Sequence, residues 1–197
     1  MVWILRLQRW APTSRKIFLV FLEFEAHVPH DEVEETYSKL KRDYFGHVSI
    51  GVERELRIDR DRYFRATWDL PPEKYILPTD DSLLILGPLR GRVAILTEVP
   101  RVWAEKALKF LGVYPLVQEL LFTGESDVRK PAQEAFIKAA QGFGVPFSSV
   151  CSVGDQEHTD ILPAKAVGMR AVRVGEGETQ ADFRIVKLAD LKDLPLG

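Results

Sequence analysis

Acidic residues, a threonine and a lysine follow apolar runs at several points of this sequence, and together they could bind a metal ion and a phosphate group. Ligands of a parallel sheet bind outside the carboxyl ends of its strands, so residues just after each apolar run are the candidates. Carboxylate oxygens hold hard cations such as Mg²⁺, and ammonium and hydroxyl groups hold phosphate oxygens. The residues concerned are Glu23, Glu25, Thr97, Glu98, Lys130, Asp155 and Asp160.

The second half of the chain alternates apolar runs with helical patterns, which predicts βαβ units and a parallel sheet with helices on both faces. The alternation begins after Gly87-Pro88. Pro100 suits the first turn of a helix, where its missing N–H costs no hydrogen bond. The predicted strands are Val93–Thr97, Leu120–Thr123, Ser149–Val153, Arg170–Val174 and a short one near Phe183–Val186; the predicted helices are Arg101–Leu111, Pro131–Gly142, Asp160–Val167 and a final turn over Leu188–Leu194.

The first half is predicted to contain the first strand of the same sheet, followed by a segment that lies outside the sheet. The continuous apolar run Lys16–Phe24 is typical of a strand buried on both faces. Helical patterns follow from Asp31 to Phe45, then over 59–68 and 72–86. We therefore expect a core domain formed by residues 1–30 and 87–197, interrupted by a small all-helical insertion over residues 31–86.

Three segments resemble motifs of the haloacid dehalogenase (HAD)-like hydrolases, a superfamily that transfers phosphoryl groups with an aspartate nucleophile. Val150–Met169, with its Gly154-Asp155 pair, resembles the family's fourth motif. Arg129-Lys130-Pro131 resembles the third, and Val93–Thr97 the second. The order of these motifs is more specific than any one of them. The helical insertion is similar to the cap of the small helical cap group, so the resemblance implies a Rossmannoid core with a cap.

The resemblance also implies roles for individual residues. Asp155 would bind Mg²⁺, and Asp160 would position or support the ion. Lys130 and the hydroxyl of Thr97 would bind phosphate oxygens, with Glu98 beside them where relatives commonly have an uncharged asparagine. Two structural alternatives stay open: Asp160 could cap its own helix, and Lys130 could be an exposed lysine at a helix start.

The first motif of the family consists of hydrophobic residues followed by Asp-x-Asp-Gly-Thr, and here we align it with Phe21-Leu22-Glu23-Phe24-Glu25. Glu23 would then stand at the nucleophile position and Glu25 at the general acid/base position, both also serving as metal ligands. Each side chain is one methylene longer than aspartate. Because catalytic groups must sit within about half an ångström of productive geometry, the longer side chains argue against efficient turnover.

Two functions follow from this alignment. In the first, the chain has a phosphatase fold with impaired or altered Mg²⁺-dependent hydrolysis of phosphomonoesters. In the alternative, it is an active hydrolase of small phosphate esters, such as nucleotides or sugar phosphates, with Glu23 as nucleophile. Whether the chain is an enzyme is left open, as are its substrate and its oligomeric state. Either way we expect a small phosphorylated molecule as ligand and Mg²⁺ as the candidate cofactor.

Composition excludes other classes. The net charge is −2, and basic and acidic residues are well mixed, so no nucleic-acid partner is expected. No apolar run approaches the length of a membrane span, and Arg6 and Arg9 interrupt the apolar N-terminus before a signal-peptide core could form. The single cysteine, Cys151, is expected to be an inert core thiol. We therefore predict a cytoplasmic protein.

Overall fold

The computed structural model describes residues 2–5, 15–44, 47–76, 85–89, 92–117 and 121–195. It divides into two compact units. One consists of Met1–Trp10 with Pro72–Gly197, and the other of Ala11–Pro71. We call the first the sheet unit and the second the helical unit.

The described strands of the sheet unit form a parallel sheet of six in the order β3-β2-β1-β4-β5-β6. This confirms the α/β class and the parallel sheet. Strand β1 lies in the middle, with Trp3 paired to Val93 of β2 on one side and to Cys151 of β4 on the other. The strands are β1 (Val2–Leu5), β2 (Val93–Leu96), β3 (Leu121–Phe122), β4 (Val150–Gly154), β5 (Arg170–Val174) and β6 (Phe183–Ile185).

Buried apolar side chains hold helices against this sheet. Strands β2 and β4 are buried along their whole lengths, as expected for strands of a parallel sheet. Ala135, Phe136 and Ala139 of one helix belong to the same buried cluster as Ala94 of β2. Cys151 is fully buried, and burial raises the pKa of its thiol to about 12, which agrees with an inert core thiol. The helices are α5 (Arg101–Phe110), α6 (Tyr114–Val117), α7 (Gln133–Gln141) and α8 (Leu162–Ala166).

The helical unit is formed, in its described residues, by α1 (Arg15–Phe24), α2 (Val33–Asp43), α3 (Val48–Leu56) and α4 (Arg60–Trp68). The prediction that Lys16–Phe24 is a strand is wrong. Phe18, Phe21 and Leu22 are buried at the spacing of one helical face, while Val20 and Phe24 are exposed. Edge-to-face contacts of Phe18 and Phe21 with Tyr63, at centroid distances of 5.6 and 5.1 Å, fix this face on α4.

The unit boundaries therefore differ from the expected ones. The helical unit begins at Ala11 and ends at Pro71, instead of covering residues 31–86. Helix α1 joins it because its buried face packs on α4 rather than in the sheet. Part of the helix predicted over 72–86 lies outside the described residues; Pro72–Lys74 forms a short 3₁₀ turn in the sheet unit. Among the residues that the structure describes, no helix is long and apolar enough to cross a bilayer.

Asp182 connects the loop between β5 and β6 to the rest of the sheet unit by hydrogen bonds. Its carboxylate accepts hydrogen bonds from the Lys165 ammonium (2.6 Å) and from the Ala171 N–H (2.8 Å). Partial burial raises the pKa of Asp182, but these two hydrogen bonds outweigh burial, so the pKa lies below its ordinary value. The ionised form therefore stabilises the folded state.

Asp182→Asn should destabilise the protein at neutral pH and progressively less in acid. A carboxyl group whose folded pKa is depressed stabilises above its unfolded pKa, about 3.9, and that stability is lost as pH falls through the folded pKa. Thermal unfolding of wild type and variant at several pH values measures the difference. Asp193→Asn, at an exposed site, is the control. A difference in melting temperature that is constant from neutral pH to below pH 4 would refute this role.

Candidate functional site

Three segments of the sheet unit contain five of the seven predicted site residues, namely Thr97, Glu98, Lys130, Asp155 and Asp160. Thr97 and Glu98 directly follow β2, Asp155 follows β4, and Lys130 precedes α7. Thr97 is buried; its N–H donates to the Phe122 carbonyl (3.0 Å), and its hydroxyl oxygen accepts the Val99 N–H at 3.3 Å. The threonine is thus fixed by the main chain on both sides.

Glu98 connects the loop after β2 to the loop before α7. Its Oε1 accepts the N–H of Lys130 at 3.1 Å, directly before the cis peptide bond between Lys130 and Pro131. The carboxylate predicted to face an incoming phosphate therefore holds the main chain of the lysine loop, which is a positioning contact.

Lys130 and Asp160 form a buried ion pair. Nζ of the lysine lies 2.7 Å from Oδ1 of the aspartate, and the two side chains are only 2% and 3% exposed. The alternative that Lys130 is an exposed lysine at a helix start is therefore wrong. Removing one partner of such a pair leaves the other charge buried without compensation, which typically costs about 3–5 kcal/mol.

The other polar atoms of Asp160 fix the turn after β4. Oδ2 accepts the N–H of Gln156 at 3.0 Å, and the carbonyl oxygen accepts the Ser152 hydroxyl at 3.1 Å. Asp160 belongs to a π-helical turn, Glu157–Ile161, which precedes α8. The predicted helix over Asp160–Val167 is thus split between two elements, and Asp160 joins the turn, the strand and the lysine loop.

Gly154 makes room for Asp160. A β-carbon placed on Gly154 would overlap the Cβ and the carboxylate of Asp160. Asp155, by contrast, is exposed on the loop, as is His158. Within the described ranges, no group of three or more His, Cys, Asp or Glu side chains is placed to hold a metal ion.

Glu23 and Glu25 do not follow a strand of the sheet, contrary to the predicted alignment. Glu23 lies in the last turns of α1, and its Oε1 is 2.9 Å from Nδ1 of His30. Glu25 directly follows α1 and accepts a hydrogen bond from Arg62 at 3.0 Å. Both carboxylates are therefore engaged by partners in the helical unit.

Two features of the site escaped prediction. The strand at the centre of the sheet is Val2–Leu5. Its four apolar residues are too few for the sequence pattern to predict a strand. Glu157, after β4, accepts the Thr179 hydroxyl at 2.7 Å and the Gln180 N–H at 2.8 Å, which ties a distant loop to the Asp155 loop. These hydrogen bonds join Glu157 to residues more than twenty positions away, and no local sequence pattern predicts them.

Gly154→Ala should destabilise the protein because the new methyl group would push Asp160 away from Lys130. Overpacking of this kind typically costs about 1–3 kcal/mol, a loss of several degrees in melting temperature for a chain of this length. Gly87→Ala is the matched control, since a β-carbon there meets nothing within 4 Å. Thermal unfolding checks both; equal melting temperatures for the two variants would contradict the close packing of Gly154 on Asp160.

Comparison with known proteins identifies the same region. A family model described as "HAD-hyrolase-like" matches residues 127–190, which include Lys130, Asp155 and Asp160. The chain is 33% identical over 135 residues to a glyceraldehyde 3-phosphate phosphatase of Methanopyrus kandleri, a match that covers 64% of this chain and 57% of that protein. The chain thus spans little more than half the length of this curated relative.

Solved structures resemble nearly the whole chain. A HAD phosphatase from Thermococcus onnurineus superposes with a TM-score of 0.63 at 21% identity, over 98% of this chain and 96% of that one. A putative HAD-hydrolase, YfnB from Bacillus subtilis, solved bound to magnesium, gives a TM-score of 0.58 at 15% identity and covers 97% of this chain and 96% of its own. At such identities the likeness establishes the fold. Taken with the family match around the Lys130–Asp160 pair, it shows that the chain resembles the HAD-like hydrolases and has their phosphatase fold.

Proposed function

We propose that this chain is a HAD-like phosphatase-fold protein that has lost Mg²⁺-dependent hydrolysis of phosphomonoesters and that binds a small phosphorylated molecule. One observation supports this most directly. The first acidic residue of the sequence is Glu23 in α1, so no carboxylate follows the central strand β1 before the helical unit.

The position of β1 changes the alignment of the first motif. In the family, hydrophobic residues precede Asp-x-Asp-Gly-Thr, and β1, paired with both β2 and β4, supplies a hydrophobic run at the centre of the sheet. The five motif positions then fall on Arg6-Leu7-Gln8-Arg9-Trp10. Arg6 would take the place of the nucleophile and Gln8 that of the general acid/base.

Neither residue can do the chemistry of the aspartate it replaces. A guanidinium stays protonated at all relevant pH values and has no lone pair to attack phosphorus. The amide of Gln8 does not titrate, so it cannot move the proton of a leaving group. Both steps of aspartate-based phosphoryl transfer therefore lose their reacting group.

Basic residues near the central strand suit an anion. Thr97 and Lys130 lie at the carboxyl edge of the sheet, where the Lys130 ammonium is paired with Asp160. The sequence from Arg6 to Lys16 adds four basic residues and no acidic one. The name of the M. kandleri relative, a phosphatase of a three-carbon sugar phosphate, supports a ligand of similar size. A cytoplasmic location and the lack of a nucleic-acid partner stay predictions from the sequence.

The alternative function uses Glu23 as nucleophile and Glu25 as general acid/base. It requires both side chains to leave their partners, His30 and Arg62, in order to react. It also predicts that Glu23→Gln abolishes a turnover that wild type possesses. The two functions are therefore separated by the same assay.

Purified wild type should show no chelator-sensitive hydrolysis of glyceraldehyde 3-phosphate or of a chromogenic phosphate ester in the presence of Mg²⁺, because the nucleophile is absent. Arg6→Asp combined with Gln8→Asp returns both carboxylates and should produce turnover. Arg6→Asn combined with Gln8→Asn is the matched control, since it removes the same side chains without supplying a nucleophile. Release of inorganic phosphate is the measurement.

Turnover by wild type would contradict this proposal, whatever the variants do. If that turnover disappears on chelation and in Glu23→Gln, the alternative function is correct. If it persists in Glu23→Gln, both assignments of the nucleophile are wrong.

A further inference from the structure

The buried negative charge of this site is already neutralised by a side chain. Asp160 is the buried carboxylate at the carboxyl edge of β4, and the Lys130 ammonium lies 2.7 Å from its Oδ1. With 2% and 3% of the two side chains exposed, little solvent screens the attraction. The negative charge of Asp160 is thereby compensated inside the protein.

The carboxylate oxygens next to this pair are engaged by N–H groups and form a poor site for Mg²⁺, and Asp155 is exposed on its loop. This ion demands near-octahedral oxygen coordination at about 2.0–2.1 Å and usually takes one or two carboxylates from the protein. The second oxygen of Asp160 accepts the Gln156 N–H, and Oε1 of Glu98 accepts the Lys130 N–H. No carboxylate stands among the first 22 residues. Within the part of the chain that the structure describes, no cluster of three potential ligands occurs.

We infer that Lys130 is the resident cation of this site and that the chain does not bind Mg²⁺ there. The inference deepens the proposed function and rests on it in one respect, the lack of carboxylates after β1. It goes further in stating that folding and ligand binding are independent of divalent metal. Magnesium, the expected cofactor, does not fit the residues present.

Removal of the Lys130 ammonium should favour binding of another cation beside Asp160. In Lys130→Ala, the Asp160 carboxylate stays buried without its partner, and the truncated side chain leaves space beside Oδ1. The melting temperature should fall by about 5–15 °C relative to wild type. Millimolar Mg²⁺ should then raise it by about 3 °C or more, because an ion that binds the folded state stabilises it. Wild type should not respond to Mg²⁺.

Thermal unfolding with Mg²⁺, and with KCl at matched ionic strength, tests this on the full chain. Lys165→Ala is the matched control, because it also removes a Lys–Asp pair, Lys165 with Asp182 at 2.6 Å, but at a site where about a third of each side chain is exposed. This control should show no specific response to Mg²⁺. A folded Lys130→Ala protein that is indifferent to Mg²⁺ would overturn the assignment of Lys130 as the resident cation.

If Lys130→Ala does not fold, isothermal titration of wild type with Mg²⁺ decides. We expect no saturable binding; saturable binding that is lost in Asp155→Asn would overturn the inference. Its failure is distinct from failure of the proposed function. Wild type that binds Mg²⁺ without turnover contradicts the inference alone, whereas turnover in excess chelator contradicts the proposed function alone.

Discussion

Lys130 and Asp160 are opposite charges that share a space almost closed to solvent, and the loops of the site depend on their contact. Lys130 is tied through its N–H to Glu98 after β2, and Asp160 through its main chain to Ser152 in β4. Gly154 permits the aspartate to approach the strand. Because a buried charge without its partner is costly, the pair constrains both loops at once. It also sets the electrostatics of the site, since the ammonium neutralises the Asp160 carboxylate, which is buried.

Much of the sheet unit could be predicted because its signals are local. Strands β2 and β4 are buried runs bounded by turns, and Pro100 and Gly168 mark helix ends. Predicted bounds are within a few residues of the observed ones. The motif order also predicted that Lys130 and Asp160 belong to one site, and the structure places them in direct contact. That Glu98 would hold the lysine loop could not be predicted, since its partner lies 32 residues away.

Local sequence patterns do not predict the structure of the first third of the chain, for a physical reason. An apolar run of nine residues suits a buried strand or a helix, and periodicity alone does not separate them. Most residues of Lys16–Phe24 are β-branched, aromatic or leucine, which suits a strand. Phe18, Phe21 and Leu22 are nevertheless buried on one face of a helix. Strand β1, with four residues, gains its place from pairing with β2 and β4, which are distant in sequence. In the alignment that we propose, the first motif falls on Arg6–Trp10 instead of on Glu23 and Glu25.

The proposed alignment would give the site a consistent character: a phosphatase fold, a lysine as internal cation, and no carboxylate where the nucleophile would stand. Metal binding at this site can be measured directly in an anomalous difference map from a crystal of the wild-type protein grown with Mn²⁺, a scattering substitute for Mg²⁺. We expect no peak near Asp155 and Asp160, and we expect Lys130 Nζ to contact Asp160 Oδ1. A peak coordinated by these aspartates, with Lys130 displaced, would contradict this expectation.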